Sequence, residues 1–213
     1  MPETPTTRVR LTRRRILEAA LSLVDREGSE ALTMRRLGRE VGVEAMSLYN
    51  HVAGRAELLD GLSEVMVTGI EAGAEAAKSW DDALRQFMRG IRAVALAHPA
   101  AFQLVGMRPL NTRAAMPPVE RLLGALRAGG FDADSASSAY RLAVSYARGF
   151  ALAEIGGFTL DAPGERLRAP DLSAEEFPRI VELAPSLSRF DHEAAFEFGV
   201  EAIVAGLGRA AGA

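Results

Sequence analysis

Apolar residues recur every three or four positions along most of the chain, which is the pattern of amphipathic α-helices. Runs that alternate β-branched and polar residues, as strands do, are missing, and aromatic residues make up only 6% of the chain. The pattern therefore predicts an all-α fold. The predicted helices cover about residues 12–27, 34–41, 44–52, 55–77, 79–98, 100–105, 118–128, 132–155, 173–183 and 191–209.

Local signals place the ends of several helices. Serine, threonine and acidic side chains accept hydrogen bonds from the first free backbone N–H groups of a helix, alone or as a capping box. The expected caps are Thr12, Thr33, Ser79 with Asp82, and Ser173 with Glu176. Gly28 is expected to end the first helix. Residues 156–172 contain Pro163 and Pro170 and are predicted to form a loop.

Composition restricts the class of protein. A chain of 213 residues suits one large domain, or a small one joined to a medium one. No apolar run approaches the roughly 20 residues of a membrane span, and the polar first ten residues do not resemble a secretory signal. Cysteine is absent, which excludes disulfides and thiolate-bound zinc. We therefore expect a cytoplasmic protein.

Charge is distributed unevenly along the chain. Residues 1–55 hold ten arginines and seven acidic residues, net +3, so the remainder carries −6 of the total −3. Five arginines lie within eight residues without an acid: Arg8, Arg10, Arg13, Arg14 and Arg15. Such runs are usually only solvated. Here the run precedes a predicted nucleic-acid-binding motif, so we expect it to attract phosphate.

That motif is the stretch LTMRRLGREVGVEAMSLYNHVAGRAELL, residues 32–59. It predicts two short helices joined by a turn at Gly42, a helix-turn-helix whose second helix enters a major groove. Apolar residues are expected to lock the two helices together: Val41, Val43, Leu48 and Val52. The residues left facing outward are small or polar: Glu44, Ala45, Ser47, Tyr49 and Asn50. Because an acid is unfavourable near phosphate, Glu44 has the alternative role of a helix cap.

These residues resemble the tetracycline-repressor (TetR) family of regulators. The strong part of the resemblance spans residues 12–65, with Thr33-Met34-Arg35, Gly42-Val43, Leu48-Tyr49-x-His51 and Arg55-x-Glu57-Leu58-Leu59. A more diffuse part, including Trp80-Asp81, His98-Pro99 and Phe196 to Gly199, is similar to the C-terminal domain of the tetracycline repressor branch. Val52 and Arg55 stand where many members have Phe and Lys. The domains implied are a flexible basic arm (1–11), a helix-turn-helix domain (12–60) and a helical sensing and dimerisation domain (61–213).

The resemblance implies contacts to double-stranded DNA. The Tyr and His of the motif would touch the DNA backbone, Arg35 a base edge or phosphate, and Arg55 a phosphate at a helix N-terminus. The candidate DNA-binding residues are Arg10, Arg13, Arg35, Glu44, Ala45, Ser47, Tyr49, Asn50, His51 and Arg55. Structural alternatives remain open, namely Tyr49 half-buried against the first helix, His51 packed on the fourth, and Arg35 as a solvated charge.

The last predicted helix carries two adjacent stripes. A bulky one is ordinary core, and a small one permits another helix to approach closely. The small stripe consists of Ala195, Gly199, Ala202 and Gly206. The resemblance implies that this helix and residues 132–155 of each subunit form a four-helix interface in a homodimer.

The resemblance also implies a small-molecule effector in the C-terminal core. Candidate contacts are Trp80, Phe87, His98, Phe102, Gln103, Arg108, Asn111, Tyr146 and Phe150. His98 alone does not reproduce the histidine set of a metal-linked tetracycline site, so neither tetracycline nor a metal or other cofactor is predicted. The histidines are too scattered for a metal site in a bundle, and the chain is not expected to be an enzyme. The expectation is a repressor released by its effector, with a bundle enzyme or a helical adaptor as rivals.

Overall fold

The computed structural model describes residues 10–72, 77–109, 112–157, 172–187 and 191–211. Those residues form helices and turns without a strand, which confirms the all-α prediction. Within them lie α1 (Arg13–Glu27), α2 (Met34–Val41), α3 (Ala45–Leu48), α4 (Arg55–Ala72), α5 (Trp80–Ala97), α6 (Pro99–Val105), α7 (Pro117–Ala128), α8 (Ala133–Gly156), α9 (Pro178–Leu187) and α10 (His192–Ala211). None of the helices in these ranges is long and apolar enough to cross a membrane.

The predicted caps at the start of the chain are present. The Thr12 hydroxyl accepts from the backbone N–H of Arg15 at 3.2 Å, and the Thr33 hydroxyl accepts from that of Arg36 at 3.2 Å. Gly42 ends α2 with φ +76°, a left-handed conformation that costs glycine little. These local signals set where α1 and α2 begin and end.

The second helix of the predicted motif is shorter than expected. It was predicted over 44–52, but α3 ends at Leu48, and the Leu48 carbonyl then accepts from the N–H groups of both His51 and Val52. The chain thus leaves α3 through tight turns rather than further helix. Glu44 occupies the N-cap position, yet its side chain makes no capping hydrogen bond, so its predicted capping role is wrong.

The helix predicted over 173–183 begins later. The Ser173 hydroxyl accepts from the N–H of Glu175 at 3.2 Å in a turn, and α9 starts at Pro178, whose ring suits the first helical position. The helix then continues through Pro185 to Leu187. The end predicted for α4 was about Ala77, which is not helical, and residues 73–76 before it lie outside the described residues. So do residues 158–171, most of the predicted loop.

The chain divides into two compact units. Unit 1 comprises residues 1–69 and 98–116, and unit 2 comprises residues 70–97 and 117–213. The helix-turn-helix domain predicted over residues 12–60 falls within unit 1, which continues to Gly69 and also contains α6. The motif covers neighbouring residues only, so it could not predict that α6, which is distant in the chain, belongs to the same unit.

Unit 1 is built around α1, which packs against α2 and α6. Its core consists of fully buried aliphatic side chains, including Ile16, Leu17, Leu23, Leu37, Leu48, Leu58 and Leu62. Two polar contacts attach α6 and the residues after it. The His98 ring bonds Asp25 of α1 at 2.7 Å, and the Arg108 guanidinium bonds Asp60 of α4 at 2.6 Å.

Unit 2 is centred on α5, which contacts α7, α8 and α10. The face of α8 turned inward is a row of buried alanines, so its backbone can approach its neighbours closely: Ala136, Ala139, Ala143, Ala147 and Ala151. Between α5 and α10, three arginines pair with three glutamates in antiparallel order: Arg85 with Glu201, Arg89 with Glu197, and Arg92 with Glu193. These pairs set the register of α10 on α5.

Candidate nucleic-acid interface

A glycine sets the close approach of the two motif helices. The Gly38 carbonyl accepts from the N–H of Val43 at 2.8 Å. A Cβ on Gly38 would lie 2.8 Å from the Val43 carbonyl oxygen and 3.1 Å from the Ala45 backbone nitrogen. Real Cβ atoms do not come this near, so only glycine lets the turn lie against α2. The turn in this position sets the direction in which α3 projects.

A charge network joins α1 to α2. Arg36 bonds Glu40 at 2.8 Å and also reaches Glu27, while Arg26 bonds Glu40 at 2.9 Å. The hydrogen bond from Arg36 lowers the pKa of Glu27, and hydrogen bonds from Arg26 and then Arg36 lower that of Glu40. Since two cations meet two anions, these arginines add no net charge for a partner.

Two other arginines of α2 are placed differently. Arg35 and Arg39 are exposed and, being four residues apart, share one face of the helix. Neither side chain makes an ion pair or a hydrogen bond with another residue that the structure describes. Arg39 was not among the predicted contacts, although its spacing from Arg35 was a signal for it. Their positive charges are thus available to an anion.

The outward surface of α3 lies next in the chain. Leu48 and Val52 are buried and hold the segment on unit 1, whereas Tyr49 is 46% exposed and Asn50 is exposed. The prediction that Tyr49 points outward therefore agrees with its exposure. His51 is half-buried, as are Ala45 and Ser47, and Glu44 is exposed.

Met46 is the exposed residue of α3, although it was not among the predicted DNA-binding residues. Its side chain is 73% exposed, more than that of any other large apolar residue in α1 to α4 that the structure describes. The signal was available, since Met46 cannot join the buried set of α3 if Leu48 does. Arg35, Arg39, Met46, Ser47, Tyr49 and Asn50 are called the reading surface below.

The predicted phosphate contacts outside α2 and α3 differ in their surroundings. Arg13 bonds Glu64 at 3.1 Å and lies 3.6 Å from Glu57, so its charge is already compensated within unit 1. The Arg55 guanidinium donates to the Leu32 carbonyl at 2.5 Å, which holds it at the start of α4. Arg10 is exposed at the beginning of the described chain.

This unit matches a family model. Residues 16–62 match the model of bacterial regulatory proteins of the tetR family. Residues 72–210 match the tetracyclin repressor-like C-terminal domain, which is more than half of the chain. The chain belongs to the TetR family. It is therefore a transcriptional regulator with an N-terminal helix-turn-helix, as predicted, and not an enzyme.

Known regulators match most of the chain. The chain is 33% identical to an HTH-type transcriptional regulator of Saccharopolyspora erythraea, over 95% of this chain and 86% of that one. It is 32% identical to the transcriptional repressor DrrR1 of Streptomyces coeruleorubidus, over 92% and 77% of the two chains. The TetR-family protein ActR of Streptomyces coelicolor, solved in complex with actinorhodin, superposes with a TM-score of 0.79 at 30% identity, over 96% and 100% of the chains.

In this TetR-family chain the predicted dimer stripe of α10 divides into two parts. A Cβ on Gly199 would collide with the Tyr146 hydroxyl of the same chain. That hydroxyl donates to the Phe196 carbonyl at 2.8 Å, and burial raises the pKa of Tyr146. Gly199 is thus small because of a contact inside unit 2, which the stripe pattern could not distinguish from a contact with a partner.

The rest of the stripe is partly or fully exposed to solvent. Ala195 is half-buried, Ala202 is exposed, and a Cβ on Gly206 would meet nothing within 4 Å. Phe198 is 78% exposed, a large apolar side chain in the same helix that the predicted stripe did not include. On α8, Leu142 is also exposed. Large apolar side chains are thus exposed on both α8 and α10, and contact of Ala195, Ala202 and Gly206 with a partner subunit stays a prediction.

The aromatic effector candidates of unit 2 pack mainly on other aromatic rings of the same unit. The Trp80 ring lies 5.0 Å from Phe131, the Phe87 ring 6.1 Å from Tyr140, and Tyr146 and Phe150 join Phe196 at 5.5 and 5.3 Å. Beside Trp80 is a recess of about 350 Å³ lined by Ala77, Lys78, Ser79, Trp80, Ala125, Ala128 and Gly129. Of the predicted contacts, Trp80 alone lines that recess.

The other effector candidates belong to unit 1. His98 pairs with Asp25, and Arg108 pairs with Asp60. Phe102 is buried, and Gln103 is exposed. Asn111 lies outside the described residues. The candidate list thus divides between the two units, and His98 and Arg108 have partners that anchor α6 in unit 1.

Proposed function

We propose that this regulator is a repressor that binds a near-palindromic operator as a homodimer and releases it when a small-molecule effector binds. The observation that carries the proposal is the contrast among the arginines of α2. Arg36 is neutralised by Glu27 and Glu40, while Arg35 and Arg39 are exposed on α2, the helix that packs against α3. A surface with available guanidinium groups next to small polar side chains suits a phosphate backbone and base edges.

The residues of the reading surface have separate roles in this proposal. Arg35 reaches a base edge or a phosphate, and Arg39 a phosphate. Tyr49 and Asn50 are exposed and carry hydrogen-bonding groups that suit the DNA backbone and base edges, and His51 and Arg55 follow them in the chain. An operator requires a protein that meets the chromosome, so we place the protein in the cytoplasm.

Two copies are needed because a single helix-turn-helix of this size offers too few contacts for tight specific binding. We place the dimer interface, called the subunit seam, on the outward sides of α8 and α10, with Leu142, Phe198, Ala202 and Gly206. In support, Phe198 and Leu142 are large apolar side chains exposed in the single chain. A two-fold axis there would present two reading surfaces to half-sites about one helical turn, roughly 34–36 Å, or a multiple apart.

Release by an effector requires a link between sensing and reading. The helix α4 begins at Arg55 in unit 1 and continues into unit 2 beyond Gly69, so one helix is shared by both units. Among the relatives, DrrR1 is named a repressor and ActR has been crystallised with actinorhodin. An effector must bind the non-operator state more tightly than the operator-bound state, since equal affinities shift nothing.

The test begins with an operator selected from random duplex DNA by the purified full chain, followed by footprinting. A protected near-palindrome supports the proposal, whereas the absence of sequence-specific binding favours a helical adaptor. Compounds that co-purify from cell extract are then titrated against free and operator-saturated protein. Weaker binding to the DNA complex, by about 5–150-fold, supports release. Tighter binding on DNA would make the protein a co-repressor-dependent regulator, and equal affinities would exclude the coupling.

A further inference from the structure

Met46 is an apolar side chain where the reading surface is otherwise polar. It lies in the middle of α3, between Ala45 and Ser47, and is 73% exposed. Leu48, two residues later, is completely buried and supplies the apolar contact that holds α3 in place. Met46 is therefore not needed for the core of unit 1, and its exposure in the free protein is unfavourable.

The chemistry of the side chain restricts what it can recognise. A thioether has no hydrogen-bond donor and is a weak acceptor, so Met46 cannot form the strong contacts that arginine makes with guanine or asparagine with adenine. The major-groove edges of the four base pairs offer one apolar group, which is the C5-methyl of thymine. A flexible, polarisable methionine can settle against such a methyl without strict geometry.

We propose that Met46 is a specificity-determining residue that packs on the C5-methyl group of one thymine in each operator half-site. The inference rests on the proposed function, because it requires α3 to enter the major groove. It adds that one operator position is chosen by burial of a methyl group rather than by hydrogen bonds. Arg35 and Arg39 hold the helix on the phosphates and Tyr49 flanks it, while Met46 discriminates between thymine and the other bases.

The experiment removes the thymine methyl group and the Met46 side chain separately. Each thymine of the selected operator is replaced in turn, symmetrically in both half-sites, by uracil, which differs from thymine only by the C5-methyl. Binding is measured for the wild type, Met46→Ala and Met107→Ala. Met107 is a matched control, since it is a methionine of unit 1 with 70% exposure that lies far along the chain from α3. Met46→Leu tests rescue by another apolar side chain.

We expect the wild type to lose about fourfold in affinity per half-site at one symmetric thymine, or about fifteenfold for the pair, the value for one buried methyl. Met46→Ala should be insensitive to uracil there, while Met107→Ala and Met46→Leu remain sensitive. The difference between the variants is the coupling between side chain and methyl, free of any effect of uracil on DNA shape.

Three results would overturn the inference. Insensitivity of the wild type to uracil at every thymine would do so, and so would equal sensitivity of Met46→Ala and wild type at every thymine. Both leave operator binding, and hence the proposed function, intact. Failure to select any operator would overturn the proposed function together with this inference. Unchanged thermal unfolding of Met46→Ala, expected because the side chain is exposed, shows that lost sensitivity is not lost folding.

Discussion

Gly38 and Val43 are in contact through a hydrogen bond of 2.8 Å, from the Val43 N–H to the Gly38 carbonyl. The hydrogen that Gly38 carries in place of a Cβ faces the Val43 carbonyl oxygen, and a Cβ there would lie only 2.8 Å from it. Two backbone segments thus touch directly at the turn of the helix-turn-helix. The position of α3, and with it the reading surface, depends on residue 38 having no side chain.

Gly38→Ala should therefore impair DNA binding. The added methyl pushes the turn away from α2 and misdirects α3, and about 1.4 kcal/mol of lost contact is enough for a tenfold weaker operator complex. We expect a loss of about tenfold or more in a gel-shift titration. Gly124→Ala in α7 is the matched control, because a Cβ there meets nothing within 4 Å. It should bind normally and be up to about 1 kcal/mol more stable.

The arginines of α2 should separate into two classes. Arg35→Ala and Arg39→Ala should each lower the slope of log affinity against log salt by about 0.9 for every phosphate contact removed. Arg36→Ala should leave the slope unchanged, because Arg36 is neutralised by Glu27 and Glu40, and should instead lower the unfolding temperature. A slope that fell with Arg36→Ala and not with the other two would mean that the reading surface is misplaced.

Substitutions in α10 should distinguish a subunit seam from an internal contact. Phe198→Ser and Ala202→Trp change exposed residues, and we expect them to shift the protein from dimer to monomer in sedimentation velocity. Gly199→Ala collides with Tyr146 of its own chain. It should cost about 1–3 kcal/mol of stability, as overpacking does, at an unchanged oligomeric state. Unaltered dimers in both Phe198→Ser and Ala202→Trp would argue against this seam.

Acid stability should depend on the pairs between α5 and α10. The hydrogen bond from Arg89 holds the pKa of Glu197 below its usual value, with Glu201 acting in the opposite direction. A carboxyl whose pKa is lowered by folding stabilises the protein above its unfolded pKa and loses that contribution as the pH falls through the folded value. Arg89→Gln should be less stable at pH 7 by up to about 1 kcal/mol, the two stability curves converging below about pH 4.

The control for this measurement is Arg179→Gln. Arg179 pairs with Glu182 in α9, where both side chains are mostly exposed to solvent. Such an exposed pair contributes little to stability. Arg179→Gln should therefore have the same denaturant midpoint as the wild type at each pH between about 3 and 7. An equal effect of the two substitutions would mean that the arginine–glutamate pairs between α5 and α10 stabilise the protein no more than an exposed pair does.

The sequence by itself determined the helices, most of their ends and the family. Helix periodicity and caps are local, so Thr12 and Thr33 could be recognised from a few neighbouring residues, and the hydrogen bonds are where the pattern placed them. The motif from Thr33 to Leu59 is equally local and was sufficient to predict a helix-turn-helix regulator. Where local signals competed, as at Ser173 and Pro178, the start of α9 was misplaced by several residues.

Tertiary structure alone decided which side chains are available. Arg35 and Arg36 are adjacent in sequence, yet Arg36 is neutralised by Glu27 of α1 while Arg35 is exposed, because the approach of α1 reaches only one side of α2. Likewise Gly199 and Ala202 belong to one stripe, but only Gly199 lies under Tyr146. Pairing and burial depend on residues distant in the chain, and a local sequence pattern does not show which distant residues will be in contact.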